Sequence, residues 1–172
     1  MADRTRWHAA EVAPVSELHI PVIDTFAGEY LFLSNFAPAP TPHRGWLYPT
    51  SEHAFAAAKT RDPAAVAAIR NTDDPARAKQ IGRAAPLVEG WEAGGKFAAM
   101  EEVVTAKFDN NPDLARRLLE THGVLLVEGN TWHDQVWGSC RCEEHCNIPG
   151  GNALGVILMA VRLRLAAQRT RV

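Results

Sequence analysis

The chain has 172 residues, of which 47% are apolar and 22% are charged, and its 18 basic and 20 acidic residues give a net charge of −2. This length and balance are typical of one soluble globular domain with a continuous core, and they argue against disorder over the whole chain. The charge argues against a protein that grips long nucleic acid through a general basic excess, and the sequence lacks the run of about 18 apolar residues that a membrane span requires.

The N-terminal residues differ from the rest because they show no sustained hydrophobic period. We interpret residues 1–19 as a loose N-terminal arm and residues 20–172 as one domain. The arm lacks the apolar segment of a secretory signal, and the three cysteines lie so close together in the chain that they make a poor disulfide framework. We therefore expect a cytoplasmic protein.

Short apolar runs in the first part of the domain predict strands. Residues 20–24 and 30–33 are two such runs bounded by turn residues, and residues 46–48 form a third. Between them, residues 38–45 carry several prolines and a glycine, which predict a loop. Residues 124–127 are a later apolar run and predict a short buried strand.

Helix signals dominate the remainder of the chain. Thr50, Asp62 and Asp74 are typical N-cap residues, and a proline follows each of the two aspartates at the first helical position. Later segments carry apolar residues at helical spacing. The predicted helices are residues 51–60, 63–70, 75–84, 96–108, 112–120 and 153–167. Helices outnumber strands, and this pattern indicates an α+β fold, a single helix-rich domain with a small β-sheet.

The helix after Thr50 carries a glutamate that has two interpretations. Glu52 lies in the first turn, where a carboxylate ordinarily complements the helix dipole at the surface. Lys59, seven residues later, shares a face with Glu52, and most residues between them are alanine. If that face points inward, these small neighbours leave the carboxylate unshielded at the floor of a groove.

Two other features are equally open to a structural or a functional interpretation. Lys107 lies at the edge of an apolar helical seam, so its stem is buried with the ammonium in water, or its ammonium is held in a pocket for an anion such as phosphate. Residues 130–138 hold two tryptophans on either side of Asp134. These rings either plug the core beneath a loop or form an aromatic wall for a flat ligand ring.

A cluster of cysteines and histidine has the residue types of a zinc site. Cys140, Cys142, His145 and Cys146 all fall within seven residues, which is not the spacing of a standard structural site. Four ligands so close together leave little slack for a tetrahedron. We therefore expect no stoichiometric zinc here and three free thiols, with a zinc-dependent interaction module as the alternative.

Many short motifs in one order carry a family resemblance over residues 26–165. They are Tyr30 to Phe36, Tyr48 to Phe55, Lys59, Gly82-Arg83, Trp91, Met100, Ala106 to Phe108, Asn111-Pro112, Leu118 to Thr121, Leu126 to Glu128, Asp134, Trp137-Gly138, Gly151-Asn152, Leu154-Gly155 and Leu158 to Arg162. Together they resemble the NADAR family, also called YbiA-like. So many pieces in one order are far more specific than any single short motif.

The resemblance implies a YbiA-like fold and an N-glycosidase that cleaves a base–ribose C–N bond. Family members act on ribosylamino-pyrimidine phosphates of riboflavin biosynthesis or remove ADP-ribose from modified guanine, in nucleic acid or as a free nucleotide. No metal or organic cofactor is implied, and no membrane partner. The sequence departs from the family in one place, because the link between Trp137-Gly138 and Asn152 is longer and rich in cysteine.

The implied site residues follow from the reaction, which passes through an oxocarbenium-like ribosyl cation. Glu52 and Asp134 are the expected catalytic residues, with Glu52 serving the water or the cation, Asp134 a ribose hydroxyl or the leaving base, and the roles exchangeable. The expected substrate-binding residues are Asn35, Lys59, Arg83, Trp91, Lys107, Trp137 and Asn152. The alternative is a module that binds ADP-ribose or a nucleotide without cleaving it.

Overall fold

The computed structural model describes residues 20–170, and the predicted N-terminal arm, residues 1–19, lies outside the described residues. Helices make up most of the ordered elements. They are α1 (Ser51–Ala58), α2 (Pro63–Arg70), α3 (Pro75–Ala84), α4 (Lys96–Asn110), α5 (Pro112–Glu120) and α6 (Ala153–Arg169). Every predicted helix is confirmed, and the ends differ from the predicted ones by two residues at most. No helix between residues 20 and 170 has the length and apolarity needed to cross a membrane.

Within residues 20–170 the strands form three separate two-stranded sheets instead of one. The strands are β1 (Val22–Ile23), β2 (Pro38–His43), β3 (Trp46–Thr50), β4 (Leu125–Leu126), β5 (Gly129–Asn130) and β6 (Ser139–Cys140). β2 and β3 are an antiparallel hairpin, whereas β1 pairs with β4 and β5 pairs with β6 in parallel. The α+β class is confirmed, with helices around small pieces of sheet.

The helix starts were predictable because local hydrogen bonds form them. The Thr50 hydroxyl accepts from the backbone N–H of His53, and the side chains of Asp62 and Asp74 each accept from the N–H two residues later. These caps satisfy donors that the first helical turn leaves free. In α2 and α3 a proline at the first helical position also favours the helix start, because the N–H that proline lacks would have no partner within the helix there.

Two predictions in the N-terminal part are wrong. The run at 30–33 is not a strand but belongs to a 3₁₀ helix, Gly28–Leu33, because short apolar runs do not distinguish the two conformations. The predicted loop at 38–45 is instead largely strand β2, whose prolines all occupy exposed positions of an alternating pattern. A two-stranded hairpin tolerates them, since each strand has a free edge. The hairpin turns at Arg44-Gly45, where both residues have positive φ, as a tight two-residue turn requires.

Helix α1 is the centre of the domain. All eight of its residues are buried, and it packs among α2, α3, α4 and the β2–β3 hairpin. Its small side chains allow close approach: a Cβ added at Gly82 of α3 would lie 2.9 Å from the Cβ of Ala56. The fold therefore places Glu52 inside the molecule and not on a surface turn, because all residues of the helix that carries it are buried.

Candidate active site

A cleft of about 960 Å³ opens along one face of α1. This volume is typical of sites for nucleotide-sized ligands. Its walls come from the segments on either side of the 3₁₀ helix, residues 25–27 and 34–36, and from α1, α3, residues 91–100 and the loop 128–137. The polar and aromatic lining residues are Thr25, Phe26, Ser34, Asn35, Phe36, Glu52, Phe55, Lys59, Lys79, Arg83, Trp91, Glu92, Lys96, Glu128, Trp132, His133, Asp134, Gln135 and Trp137.

Glu52 is a buried carboxyl group at the floor of this cleft. It is 5% exposed, and its backbone N–H donates to the carbonyl of Asn35 at 2.9 Å, which anchors the start of α1 to the preceding segment. Burial raises the pKa of Glu52 to about 7, against the opposing effect of Lys79, Lys59 and Arg83. Near neutral pH, the protonated and the ionised forms of Glu52 are therefore both populated.

Glu128 is a second carboxyl group in the cleft, half-buried, and it is not among the site residues expected from the sequence. Burial, with the charges of Asp134 and Glu52, raises the pKa of Glu128 to about 7. Its backbone N–H donates to the side chain of Asn152 at 3.0 Å, and the same Asn152 amide donates to the carbonyl of Leu126 at 2.9 Å. Asn152 does not line the cleft, so the structure places it behind Glu128 and not against a ligand. Glu128 does stand in one of the quoted motifs, and that was the available signal.

Asp134 lies in the cleft, but one of its oxygens is already engaged. Its Oδ1 accepts from the N–H groups of Val136 and Trp137 at 3.0 and 2.9 Å. Asn130 braces the same turn, since its amide donates to the Asp134 carbonyl at 2.8 Å. This carboxylate therefore helps to fix the conformation of the loop that carries Trp137.

The aromatic residues form a continuous wall. The ring of Phe55 packs 5.3 Å from Trp91 and 5.4 Å, edge to face, from Trp137, measured between centroids. Trp137 also packs 5.4 Å from Phe97. Trp91 is buried, Trp137 is half-buried, and both line the cleft. The wall therefore packs against the hydrophobic core on one side and borders the cleft on the other. Trp132, by contrast, is 61% exposed at the rim.

Three cations face the carboxyl groups. Lys79 and Arg83 lie one turn apart on α3, and Lys59 ends α1. Burial lowers the pKa of Lys59, while Glu52 opposes the shift. Lys79 was not selected from the sequence, since only the packing of α3 against α1 brings it to the cleft. The three side chains can offer several donors to one anionic group.

Asn35 lines the cleft, yet its side chain is held by the protein. Its Oδ1 accepts from the Ser51 hydroxyl at 3.0 Å, and its Nδ2 donates to the sulfur of Met100 at 3.2 Å. It is 7% exposed. Asn35 thus joins the segment before β2 to α1 and α4 beside Glu52.

Lys107 differs from the other selected cations because it does not line the cleft. It is 1% exposed, and its ammonium donates to the carbonyl of Ser34 at 2.8 Å. Burial lowers the pKa of Lys107 to about 7. The ammonium therefore ties α4 to the segment after the 3₁₀ helix and does not line the cleft.

Lys107→Met is expected to leave KM for a cleaved substrate unchanged and to alter the pH dependence of stability. Between pH about 7 and the usual lysine pKa near 10.4, the folded protein binds fewer protons than the unfolded chain, so wild-type stability rises with pH. The variant lacks that rise. Urea unfolding at about pH 7 and about pH 9.5 measures the difference, and a KM raised tenfold with no change in the pH slope would contradict this assignment.

A separate group of possible metal ligands lies at the rim of the cleft. The ligand atoms of His133, Cys140, Cys142 and His145 all lie within 4.8 Å of one another. This set differs from the one that the sequence spacing suggested. Cys146 is exposed and its thiol donates to the Glu143 carbonyl, whereas His133, from the loop 128–137, is a member of the cluster.

Comparisons with known proteins agree with the family resemblance. The model of the NADAR domain matches residues 24–166. The chain is similar to N-glycosidase YbiA of Escherichia coli strain K12, with 36% identity over 143 residues, which covers 82% of this chain and 85% of that protein. It is also similar to a riboflavin biosynthesis protein of Vibrio vulnificus, with 32% identity over 138 residues, 78% of this chain but 35% of that protein. The NMR structure of E. coli YbiA superposes with a TM-score of 0.74 at 34% identity over 89% of each chain.

Proposed function

Because this chain belongs to the NADAR domain family and is an N-glycosyl hydrolase, we propose that the cleft above α1 is its active site and that it hydrolyses a base–ribose C–N bond. The observation that carries the proposal is the pair of carboxyl groups, Glu52 and Glu128, which share one cleft and both have a pKa raised to about 7. A protein that only binds a nucleotide needs no such pair.

The reaction asks for two opposite protonation states. The C–N bond breaks with its electrons moving to the base nitrogen, which takes a proton, while the ribosyl carbon becomes cationic and then bonds to the oxygen of water. One carboxylate must therefore be ionised beside the sugar, to stabilise the cation and accept a proton from water. One carboxylic acid must be protonated beside the base.

The surrounding charges support one distribution of these roles. Lys79, Lys59 and Arg83 all favour the ionised form of Glu52, so Glu52 is the carboxylate that serves the cation and the water. Glu128 faces two other carboxylates and only Lys79 among the cations, so it is the better proton donor to the base. Because the two groups interact, their titration belongs to the pair. Asp134 also remains a proposed contact of a ribose hydroxyl or the base. Its second carboxylate oxygen serves this contact, because Oδ1 accepts from the N–H groups of the loop.

The substrate is a phosphorylated, nucleotide-like molecule. Lys59, Lys79 and Arg83 supply donors for its phosphate or diphosphate, where charge-assisted hydrogen bonds are strongest. Trp91 and Trp137 offer faces on which a flat base stacks. Two substrates fit: an ADP-ribosylated guanine, free or in nucleic acid, and a ribosylamino-pyrimidine phosphate, which the name of the Vibrio vulnificus relative supports. A cytoplasmic location suits either.

The test is incubation of the purified chain with each candidate substrate in ¹⁸O-labelled water, followed by mass spectrometry. We expect release of the free base and one ¹⁸O atom in the sugar product, at the carbon that carried the nitrogen. Tight binding of both substrates without release would instead favour the non-catalytic module that binds ADP-ribose or a nucleotide.

A further inference from the structure

The cluster at the rim of the cleft is composed of ligands that zinc prefers. It consists of His133, Cys140, Cys142 and His145, two thiols and two imidazoles whose ligand atoms lie within 4.8 Å of one another. Cys140 is 2% exposed, Cys142 and His145 are half-buried, and His133 is exposed. All three cysteines of the chain are free thiols. Two sulfur and two nitrogen donors are a standard structural zinc set.

The distances within the cluster are close to those of a tetrahedral site. Zn–S bonds of about 2.3 Å and Zn–N bonds of about 2.0–2.1 Å separate two nitrogens by about 3.3 Å and a nitrogen from a sulfur by about 3.6 Å. The Nδ1 atoms of His133 and His145 are 3.3 Å apart. The Cys142 sulfur lies 3.5 Å from Nδ1 of His133 and 3.1 Å from Nδ1 of His145. Only small side-chain shifts separate this arrangement from a bound ion.

We propose that His133, Cys140, Cys142 and His145 form a structural Zn²⁺ site that fastens the cysteine-rich loop to the rim of the cleft. Both histidines bind through Nδ1, which leaves the proton on Nε2, and the two thiols lose their protons to solvent as the metal binds. Four protein ligands fill the tetrahedron and leave no position for water. The ion therefore serves to hold the loop and takes no part in the reaction.

The fold supplies what the cysteine spacing lacks. The sequence suggested Cys146 as fourth ligand and, because that set is cramped, no stoichiometric zinc. The parallel pairing of β5 with β6 brings His133 across to Cys140 and Cys142, whereas Cys146 points to the Glu143 carbonyl. With His133 as a ligand, the four ligands come from two segments of the chain. The close spacing that argued against a tetrahedral site is therefore no longer an obstacle.

Contacts around the cluster support the ligands in these positions. The N–H of Cys142 donates to the Cys140 sulfur at 3.5 Å, a contact that favours a thiolate. The Gln135 side chain accepts from the N–H of Cys140 at 2.8 Å and donates to the Ile148 carbonyl at 3.0 Å. The carboxylate of Glu144 is 4.0 Å from Nε2 of His145, on the side where an outer carboxylate orients a ligating imidazole.

The first experiment is a zinc count by mass spectrometry on full-length protein, purified without added metal and freed of any polyhistidine tag. We expect one zinc per wild-type chain and a loss of at least tenfold in Cys142→Ser and in His133→Ala. Cys146→Ser is the matched control, because it removes a neighbouring thiol outside the cluster, and it should retain one zinc. Wild-type protein without zinc, or Cys142→Ser that keeps a full equivalent, would overturn the proposal.

A second experiment uses the wild-type chain alone, so it does not depend on the folding of any variant. A thiol reagent should modify one cysteine, Cys146, in the native protein and three after a chelator has removed the metal. Replacement by cobalt should give the intense visible bands of tetrahedral thiolate coordination. Reaction of Cys142 as well as Cys146 before chelation would refute the site, and neither readout depends on the glycosidase activity.

Discussion

Replacing Glu52 with glutamine is expected to lower kcat at least about 100-fold and, at the same time, to stabilise the folded protein above neutral pH. The loss of activity follows because the amide has the shape of the carboxylate but cannot balance a ribosyl cation in the cleft. The gain in stability follows because the wild-type carboxyl group is 5% exposed and its pKa is raised to about 7 by burial.

The sign of the stability effect follows from proton binding. Between the usual pKa of glutamate and about 7, the unfolded chain has lost the proton of Glu52 while the folded protein retains it, so wild-type stability falls as the pH rises. A shift of this size corresponds to about 3 kcal/mol at full effect. Glu52→Gln does not titrate, and its advantage in free energy of unfolding should therefore grow from about pH 4.5 to about pH 7 and then level off.

Denaturant unfolding at several pH values, combined with kcat on the cleaved substrate, measures both effects. Glu101→Gln on the exposed face of α4 is the matched control, and it should change neither quantity. A variant that keeps wild-type turnover would remove Glu52 from the mechanism. A variant whose free energy of unfolding is lower than that of wild type at every pH would show that Glu52 chiefly stabilises the start of α1.

Replacing Arg83 with methionine is expected to lower kcat/KM for a phosphorylated substrate by roughly 10- to 100-fold. The reason is the loss of a charge-assisted hydrogen bond, which contributes about 1.5–3 kcal/mol. The same change should have little effect on the matching substrate without phosphate. It is therefore the ratio of the two kcat/KM values that identifies Arg83 as a phosphate contact.

Arg77→Met is the control for this experiment because it makes the same change on the same helix, away from the cleft, where the Arg77 side chain donates a hydrogen bond to Gln80. It should leave both values of kcat/KM unchanged. An equal loss on both substrates in Arg83→Met would show that Arg83 acts on the shape of the cleft or on Glu52, and not on phosphate.

Several parts of the fold could be predicted from local signals. Thr50, Asp62 and Asp74 start helices through bonds to backbone groups two or three residues away, so no distant contact is needed. The run at 30–33 and the prolines of β2 were misjudged for the opposite reason. Whether a short apolar run is helix or strand, or a proline-rich run pairs with a neighbour, depends on what packs against it.

The candidate site divides in the same way. Glu52 and Lys59 share one helix, so the sequence alone indicated that they belong together. Glu128 acquires its raised pKa, and His133 its place among the thiols, only when distant segments meet: the loop 128–137 against α1 and α6, and β5 against β6. Lys107 shows the same limit, because its ammonium is committed to the Ser34 carbonyl, 73 residues away in the chain.

The sequence by itself determined the helices, the family and the central pair of Glu52 and Lys59, since capping bonds and ordered motifs are properties of short stretches of chain. Only the tertiary structure decided which charged groups are withdrawn from solvent and which of them lie together. Desolvation depends on every segment that covers a side chain, and for Glu52, Glu128 and Lys107 those segments come from distant parts of the sequence.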